Sequence, residues 1–362
     1  MNNHTIRTYL LTVLLCLIGA WLPLHASSHA EEEEENASID IKEIIFDHIG
    51  DAYEWHVATI GDKHVSIPLP VIVFSKEKGF HAFLSHKLHH GEIYNGFHIA
   101  TNGDHKGKVV ESLSTGEVVR PLIDLSLTKI ATGILINSLL LVSIILFVSR
   151  WYRHKEVYDN APRGFIGVME MLIMMVYDGI IKPSVGKDYE RYAPYLLTAF
   201  FFIFLSNLMG LIPIFPGGAN VTGNIAITLV LAICTFIAVN VFGTREYWRE
   251  VLWPDVPVWM KCPIPLMPVI EIFGLFTKPF ALTVRLFANI MAGHSVILAL
   301  VCIIFVTQSM GPLLGGSMTV VSVLFSIFMN CLELLVAFIQ AYVFTMLSAV
   351  FIGMSRVEHH EK

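Results

Sequence analysis

The residue in the most unusual chemical environment is Arg285, which lies in an otherwise almost entirely apolar run of 28 residues, 279–306. A guanidinium group cannot escape an apolar environment by losing its proton. Placing an arginine at mid-membrane costs at least about 2.5–3.5 kcal/mol, and such residues usually face a polar cavity or a bundle interior. Two structural explanations compete with a functional one: pairing with a nearby carboxylate, and a side chain that reaches a lipid headgroup.

Other polar residues fall on particular faces of this segment when it is treated as a helix. At about 100° per residue, Asn289 points the same way as Arg285, and Glu271 and Lys278 lie near the same stripe. His294 follows Arg285 by nine residues, which places it on the opposite face. The helix therefore presents a permanent cation with an amide on one side and a titratable imidazole on the other.

The last apolar segment carries an acid that suits this imidazole. Glu333 and Gln340 are seven residues apart and share a helical face, with Asn330 close to it. His294 can meet Glu333 across the interface between the two helices. Histidine titrates near neutral pH and can exchange a proton with a carboxylate, so the pair predicts a proton relay. The alternative is an interhelical pair that only contributes to packing.

The composition of the whole chain indicates which elements hold these residues. The chain has 362 residues, of which 54% are hydrophobic and 15% are charged, and its mean hydropathy is +0.63. A soluble chain would carry about 25% charged residues. These values predict an all-α polytopic membrane protein. Its five cysteines show no CxxC or paired spacing, so neither a disulfide framework nor a metal site is indicated.

The N-terminus predicts a signal peptide, residues 1–30, followed by a polar extramembrane extension, residues 31–124. Arg7 precedes an apolar stretch at 9–22, and a small-x-small site at 28–30 suits cleavage. The alternative is a membrane anchor, but fourteen apolar residues are short for about 30 Å of hydrocarbon. The extension contains nine histidines. Clustered histidines can bind transition metals. However, His86, His89 and His90 have no Cys and few acidic partners at ligand spacing, so we expect solvated surface residues.

Patterns in the extension and in the remaining chain predict the secondary structure. Short strands are expected in the extension, as at residues 66–74. About five to six membrane helices are expected between residues 125 and 356, from segments at 127–148, 165–181 (marginal or interfacial), 195–213, 225–242, 265–306 and 317–354. The last two are overlong: 42 residues would span about 63 Å as a helix. Helices of that length must tilt steeply or break.

The distribution of positive charge predicts the orientation in the membrane. Seven Lys or Arg residues lie in the segment from Arg150 to Arg191, both included, whereas the loops at 214–224 and 307–316 contain none. Positively charged loops stay on the cytoplasmic side. We therefore expect a multi-pass protein of the bacterial inner membrane, with a periplasmic N-terminal extension and a cytoplasmic C-terminal tail, residues 357–362.

Three segments resemble the signature segments of subunit a of the F-type ATP synthase. They are TKPFALTVRLFANIMAGH (277–294), LELLVAFIQAYVFTML (332–347) and YAPYLLTAFFFIFLSNLMGLIP (192–213). The resemblance extends over residues 148–354, and the motifs follow the order and spacing of the family. It implies a subunit that carries H⁺ through two half-channels to and from a ring of c subunits. The implied partners are this c-ring, the b subunits of the peripheral stalk, the other Fo–F1 subunits and the lipid bilayer.

The resemblance also implies roles for individual residues. Arg285 corresponds to the essential stator arginine that faces the c-ring, with Asn289 and Gln340 as its polar companions. His294 and Glu333 are exchanged relative to many bacterial members, as in the mitochondrial relatives. We therefore expect these five residues to act in proton translocation.

Two residues expected near the outer half-channel differ from those in some members of the family. Some bacterial members carry Asp at the positions of Gly210 and Asn224, so the outer half-channel is expected to depend more on Asn207, His294 and Glu333. Asn224, Glu271 and Lys278 are further candidates for lining. The chain has no GxxxxGK[ST] sequence and no indicated cofactor. We therefore expect it to bind no nucleotide itself. The resemblance implies a subunit that is not an enzyme on its own and does not bind nucleic acid.

Two other classes remain open at this point. An ion-coupled secondary transporter would have two related halves with paired discontinuous helices, and no such repeat is evident. A membrane-anchored sensor would make the histidine-rich extension the functional part and would leave Arg285 unexplained. Co-purification with a c-ring would separate the three classes. Because no charge stripe connects the extension to Arg285, we expect residues 36–115 to be dispensable for coupling.

Overall fold

The structure is a computed structural model, which describes residues 50–60, 63–100, 105–112, 118–153, 162–212, 215–252, 266–308 and 311–356. The expected signal peptide (1–30) and C-terminal tail (357–362) lie outside these residues. The described part consists of a strand-containing N-terminal region followed by long helices. This agrees with the predicted fold class.

Eight short strands form the N-terminal part, which we call the β region (the described residues between 50 and 124). They are β1 (Glu54–Ile60), β2 (Lys63–Pro68), β3 (Pro70–Ser75), β4 (Gly79–Leu84), β5 (Phe97–Ile99), β6 (Val109–Ser112), β7 (Val118–Val119) and β8 (Ile123–Asp124). All pairs are antiparallel: β1 with β2, then β4–β3–β8, then β5–β6–β7. The strand predicted over 66–74 is divided at Leu69, between two prolines that cannot donate a ladder hydrogen bond.

The β region has a core of its own, and one buried tyrosine connects two of its segments. The core side chains are Tyr53, Val71, Val73, Leu88, Phe97 and Val109. The hydroxyl group of Tyr53 donates a hydrogen bond of 2.6 Å to Asp124 Oδ2. Burial, with Asp124 as a second cause, raises the pKa of Tyr53 far above its usual range. The phenol therefore stays neutral and keeps donating.

In the described residues, seven α-helices of eight or more residues follow the β region. They are α1 (Lys129–Tyr152), α2 (Phe165–Val176), α3 (Tyr189–Leu211), α4 (Ile225–Val241), α5 (Arg245–Leu252), α6 (Leu266–Gln308) and α7 (Pro312–Met354). The connection from α2 to α3 is a π-helical turn (Tyr177–Ile181), an α-helical turn (Lys182–Val185) and a 3₁₀ turn (Gly186–Asp188). Gly186 has φ +78°, a conformation that favours glycine, and it interrupts the helix there.

Four helical stretches of the described residues are long and apolar enough to cross a membrane. They are Lys129–Tyr152, Phe165–Leu211, Met267–Thr307 and Gly315–Met354. A fifth span results if α4 and α5, which meet at a bend of 100°, are counted together. The segments predicted at 165–181 and 195–213 form one helical stretch of 47 residues, so the count reaches five at most.

The two C-terminal helices are as long as predicted. Both α6 and α7 contain 43 residues, or about 64 Å at 1.5 Å per residue. This is about twice the 30 Å hydrocarbon thickness of a bilayer. Helix α6 continues through Pro279 without a break. The two helices pack along each other, and α7 also packs against α3, while α6 packs against α4.

The helical core lies where α3 meets α7. Leu196, Phe200 and Ile203 of α3 are fully buried and belong to one cluster with Ala341 and Phe344 of α7. This packing fixes α7 against α3, so the remaining face of α7 is free to carry polar groups toward α6.

Candidate functional site

His294 of α6 and Glu333 of α7 meet at the interface between the two long helices. The Nδ1 atom of His294 lies 3.1 Å from Oε1 of Glu333. The side chains are 17% and 3% exposed, so solvent screens their interaction little. The predicted contact between these residues is therefore confirmed, and their role in proton transfer stays a prediction.

Gly293 allows the Glu333 carboxylate to approach this closely. A Cβ atom at position 293 would lie 2.8 Å from Glu333 Oε1, closer than van der Waals contact permits. Neither carboxylate oxygen has an aligned hydrogen-bond donor among the described residues, although His294 is within ion-pair distance. A buried carboxylate beside one imidazole can exchange a proton with it, because few competing donors hold it in the ionised form.

Gly210 of α3 also borders the His294 side chain, in the space that we call the His294 pocket. A Cβ atom there would lie 3.5 Å from His294 Nε2 and 3.8 Å from the carbonyl oxygen of Ala219. Both distances are ordinary van der Waals contacts, so the imidazole ring lies directly against α3 at this position. Its two neighbours show that His294 lies close to the connection between α3 and α4.

Arg285 lies on a different face of α6 from this pair. Both Arg285 and Asn289 are exposed, as is expected for two residues four apart on one helical face. None of the ion pairs among the described residues involves Arg285. The explanation that the arginine is paired within its own chain is therefore not supported by the described residues.

Gln340 and Asn330, which were expected on the face of Glu333, have different environments. Gln340 is 7% exposed. Asn330 is exposed, and its Nδ2 donates to the Ser326 carbonyl in its own helix. Of the two, only Gln340 is therefore buried, as Glu333 is.

Asn207 connects α3 to two other parts of the structure. Its Nδ2 donates to the Ala337 carbonyl of α7 at 3.2 Å, and its Oδ1 accepts from Thr222 Oγ1 at 2.6 Å. Asn224, another predicted lining residue, is the N-cap of α4, where its Oδ1 accepts from Ala226 N at 2.9 Å. An N-cap side chain satisfies one of the free amides at a helix start. Asn224 thus has a structural use, while Asn207 is fully buried among polar groups.

Glu271 and Lys278 lie toward the N-terminal end of α6, away from His294. Both are half-buried. The Lys278 Nζ atom lies 5.4 Å from the ring centre of Phe351 in α7, and Lys278 lines a small cavity with Asn240 and Tyr247. The two residues are therefore not part of the His294–Glu333 cluster.

Two groups of buried polar side chains were not expected from the sequence. Asn137 of α1 donates to Ser206 of α3 at 3.3 Å. Three hydroxyl groups link α3, α4 and α7: Tyr195 and Thr235 are 2.9 Å apart, and Thr235 and Ser348 are 3.1 Å apart. Asn137 could have been identified from the sequence, because it is the single amide side chain in the largely apolar sequence of α1. Hydroxyl-bearing residues are common in membrane helices, so nothing in the sequence distinguishes this set.

The fold and this site define a polytopic α-helical membrane protein with an ionisable pair buried between two overlong helices. Among the described residues, no group of three His, Cys, Asp or Glu side chains is arranged to hold a metal ion. The ATP synthase A chain family matches residues 134–353. A second family, a domain of unknown function (DUF8433), matches residues 44–125.

Several relatives named ATP synthase subunit a are similar to this chain. That of Chlorobium phaeobacteroides is 41% identical over 250 residues, 66% of this chain and 69% of the relative. That of Chloroherpeton thalassium is 42% identical over 245 residues, 66% and 68% of the two chains. That of Myxococcus xanthus is 42% identical over 246 residues, 66% and 76%.

The chain belongs to the ATP synthase A chain family, subunit a of the F-type ATP synthase. Family membership gives its general role, that of a proton-transport subunit of the membrane sector and not of a standalone enzyme. This role differs from the two alternatives, a secondary transporter and a membrane-anchored sensor, and the family match supports neither.

Proposed function

We propose that this chain is the stator subunit that carries H⁺ through two half-channels to and from the c-ring, so that ion flow drives rotation and ATP synthesis. One observation carries the proposal. The permanent cation, Arg285, lies exposed on one face of α6, while the titratable pair, His294 and Glu333, is buried on another. A stator needs this division, because proton conduction and proton blocking must occur at different places.

On the exposed face, Arg285 meets the carboxylate of each passing c subunit. Its planar guanidinium can bind a carboxylate through two parallel hydrogen bonds. Since it never releases its proton, it holds that carboxylate ionised and blocks direct transfer between the half-channels. Asn289 and Gln340 are its polar companions in this proposal. Each proton that crosses contributes about 2.3 kcal/mol per 100 mV of membrane potential.

On the buried side, His294 and Glu333 relay protons from the periplasm toward the c-ring. Asn207 lies next to this path, because it is bonded to the backbone of α7 four residues after Glu333. Asn224 contributes polar lining on the same side. Glu271 and Lys278, at the other end of α6, suit the half-channel that opens to the cytoplasm.

The proposal includes an arrangement of the chain in the bacterial inner membrane. Residues 1–30 are the signal peptide, 31–124 a periplasmic extension, 125–356 the membrane domain and 357–362 a cytoplasmic tail. The distribution of Lys and Arg between loops supports this orientation. The c-ring is the partner of the Arg285 face, and the b subunits of the peripheral stalk hold the chain against rotation.

The test replaces Arg285 by alanine in the assembled complex. We expect Arg285→Ala to abolish ATP synthesis in inverted vesicles and to let protons leak through the membrane sector after F1 is removed. Arg163→Ala, at an exposed arginine outside α6, is the matched control and should retain synthesis. Immunoblots for subunit a and the c-ring establish that each complex is assembled. Normal synthesis by an assembled Arg285→Ala complex would refute the proposal.

A further inference from the structure

Trp55 of β1 is buried between the membrane domain and Ile67, its partner on the neighbouring strand β2. It is 2% exposed, yet it is absent from the core cluster of the β region. It packs instead with Ala219 and Val221, which belong to the connection between α3 and α4 (the α3–α4 loop, described residues 215–224). The Trp55 ring also meets that of Phe215 edge-on, with centroids 5.3 Å apart.

The same loop also contacts the candidate site. Along it, Ala219 and Val221 alternate with two buried polar residues, Asn220 and Thr222. The Thr222 hydroxyl group donates to Asn207 at 2.6 Å. The Ala219 carbonyl lies beside the same Gly210 that contacts His294. One loop thus connects the tryptophan with the surroundings of the histidine.

Helix α1 connects the β region to this loop. The carboxylate of Asp51 accepts from Ile130 N at 3.0 Å, and the Ala52 carbonyl accepts from Lys129 N at 2.7 Å. These bonds satisfy free amides at the start of α1. One turn further along, the backbone at Gly133 fits closely against Ala219 and Val221. The segment that precedes Trp55 is therefore bonded to α1, which itself packs against the loop.

We propose that the β region is a clamp that holds the α3–α4 loop, and with it the Asn207–Thr222 bond and the His294 pocket, in the conformation that admits protons. Trp55 is its positioning residue. This rests on the proposed function, since it assigns the β region a role in proton uptake through His294. It replaces our expectation that the extension is dispensable, because that expectation considered charge, whereas the connection is apolar.

The experiment measures ATP synthesis and loop exposure in the assembled complex. Trp55→Ala should lower synthesis in inverted vesicles by about tenfold, because a displacement of about 1 Å can slow a positioned transfer step by that much or more. Trp55→Phe keeps an aromatic ring on the loop and should restore most of the rate. Phe80→Ala removes an exposed aromatic ring from the same β region and should leave the rate unchanged.

Loop exposure is read from a cysteine at position 220. Asn220 is 9% exposed, so in a chain without its native cysteines Asn220→Cys should react slowly with a membrane-impermeant maleimide applied to spheroplasts. Adding Trp55→Ala should accelerate this labelling severalfold, and adding Phe80→Ala should not. Unchanged synthesis and unchanged labelling in an assembled Trp55→Ala complex would overturn the clamp.

A variant on the loop covers the case in which Trp55→Ala does not assemble. Phe215 is 43% exposed, so Phe215→Ala removes the ring that meets Trp55 without opening the β core. Slower synthesis with faster labelling supports the clamp, and wild-type values for both refute it. Arg285→Ala is measured in parallel. If it leaves synthesis normal, the proposed function fails, while the labelling result still decides whether Trp55 holds the loop.

Discussion

The Nδ1 atom of His294 lies 3.1 Å from Oε1 of Glu333, and the glycine that precedes the histidine, Gly293, has no Cβ that would separate them. Two helices of 43 residues can meet in many registers. Here Glu333 of α7 contacts α6 at a glycine, Gly293. The close contact between α6 and α7 therefore depends on position 293 as much as on the ionisable residues.

Exchange of the pair tests whether His294 and Glu333 act together. We expect His294→Glu and Glu333→His each to slow ATP-driven proton pumping, because each leaves two like groups in a buried contact. The double exchange restores one acid and one imidazole and should pump faster than either single variant. Fluorescence quenching in inverted vesicles measures the rate. A double variant no faster than the slower single variant would show that the residues do not interact.

Substitution of Gly293 tests the close approach itself. Gly293→Ala places a Cβ 2.8 Å from Glu333 Oε1, so the carboxylate must move away from His294. We expect proton pumping to fall by on the order of tenfold, as positioned transfer steps are sensitive to such shifts. Gly210→Ala is the matched control, because its Cβ would lie at an ordinary 3.5 Å from His294 Nε2. Equal rates for both alanine variants would contradict the role of Gly293.

Arg285→Lys separates the charge of the arginine from its shape. Lysine keeps a positive charge but lacks the planar fork that binds a carboxylate through two bonds. We expect ATP synthesis in inverted vesicles to fall nearly as far as in Arg285→Ala, that is, almost to zero. The Arg163→Lys variant controls for the exchange of residue type. Near-normal synthesis by Arg285→Lys would mean that charge alone suffices.

The Tyr195–Thr235–Ser348 hydroxyl chain should contribute to the stability of the helix bundle. Hydrogen bonds between membrane helices contribute about 0.6 kcal/mol on average and at most about 1.7. We expect Tyr195→Phe to lower the free energy of unfolding in detergent by an amount in that range, with proton pumping retained. Tyr152→Phe, at an exposed tyrosine of α1, is the control. A loss of pumping at unchanged stability would instead assign the chain to the proton path.

The sequence by itself determined the class of protein, the extra length of the last two helices and the faces on which their polar residues lie. Helical periodicity is a local property, so the separation of Arg285 from His294 follows from a spacing of nine residues. The predicted bounds of the last two helices also agree closely with the observed ones, because long apolar runs have few competing structures in a membrane.

The tertiary structure decided which residues meet across these elements. The register of α6 against α7 seats Glu333 at Gly293, and α3 brings Gly210 to His294. The contact of Trp55 with the α3–α4 loop joins residues more than 150 positions apart through apolar side chains. Such contacts depend on the packing of surfaces from distant parts of the chain. Apolar packing leaves no charge or spacing pattern along the chain, so only the folded molecule reveals it.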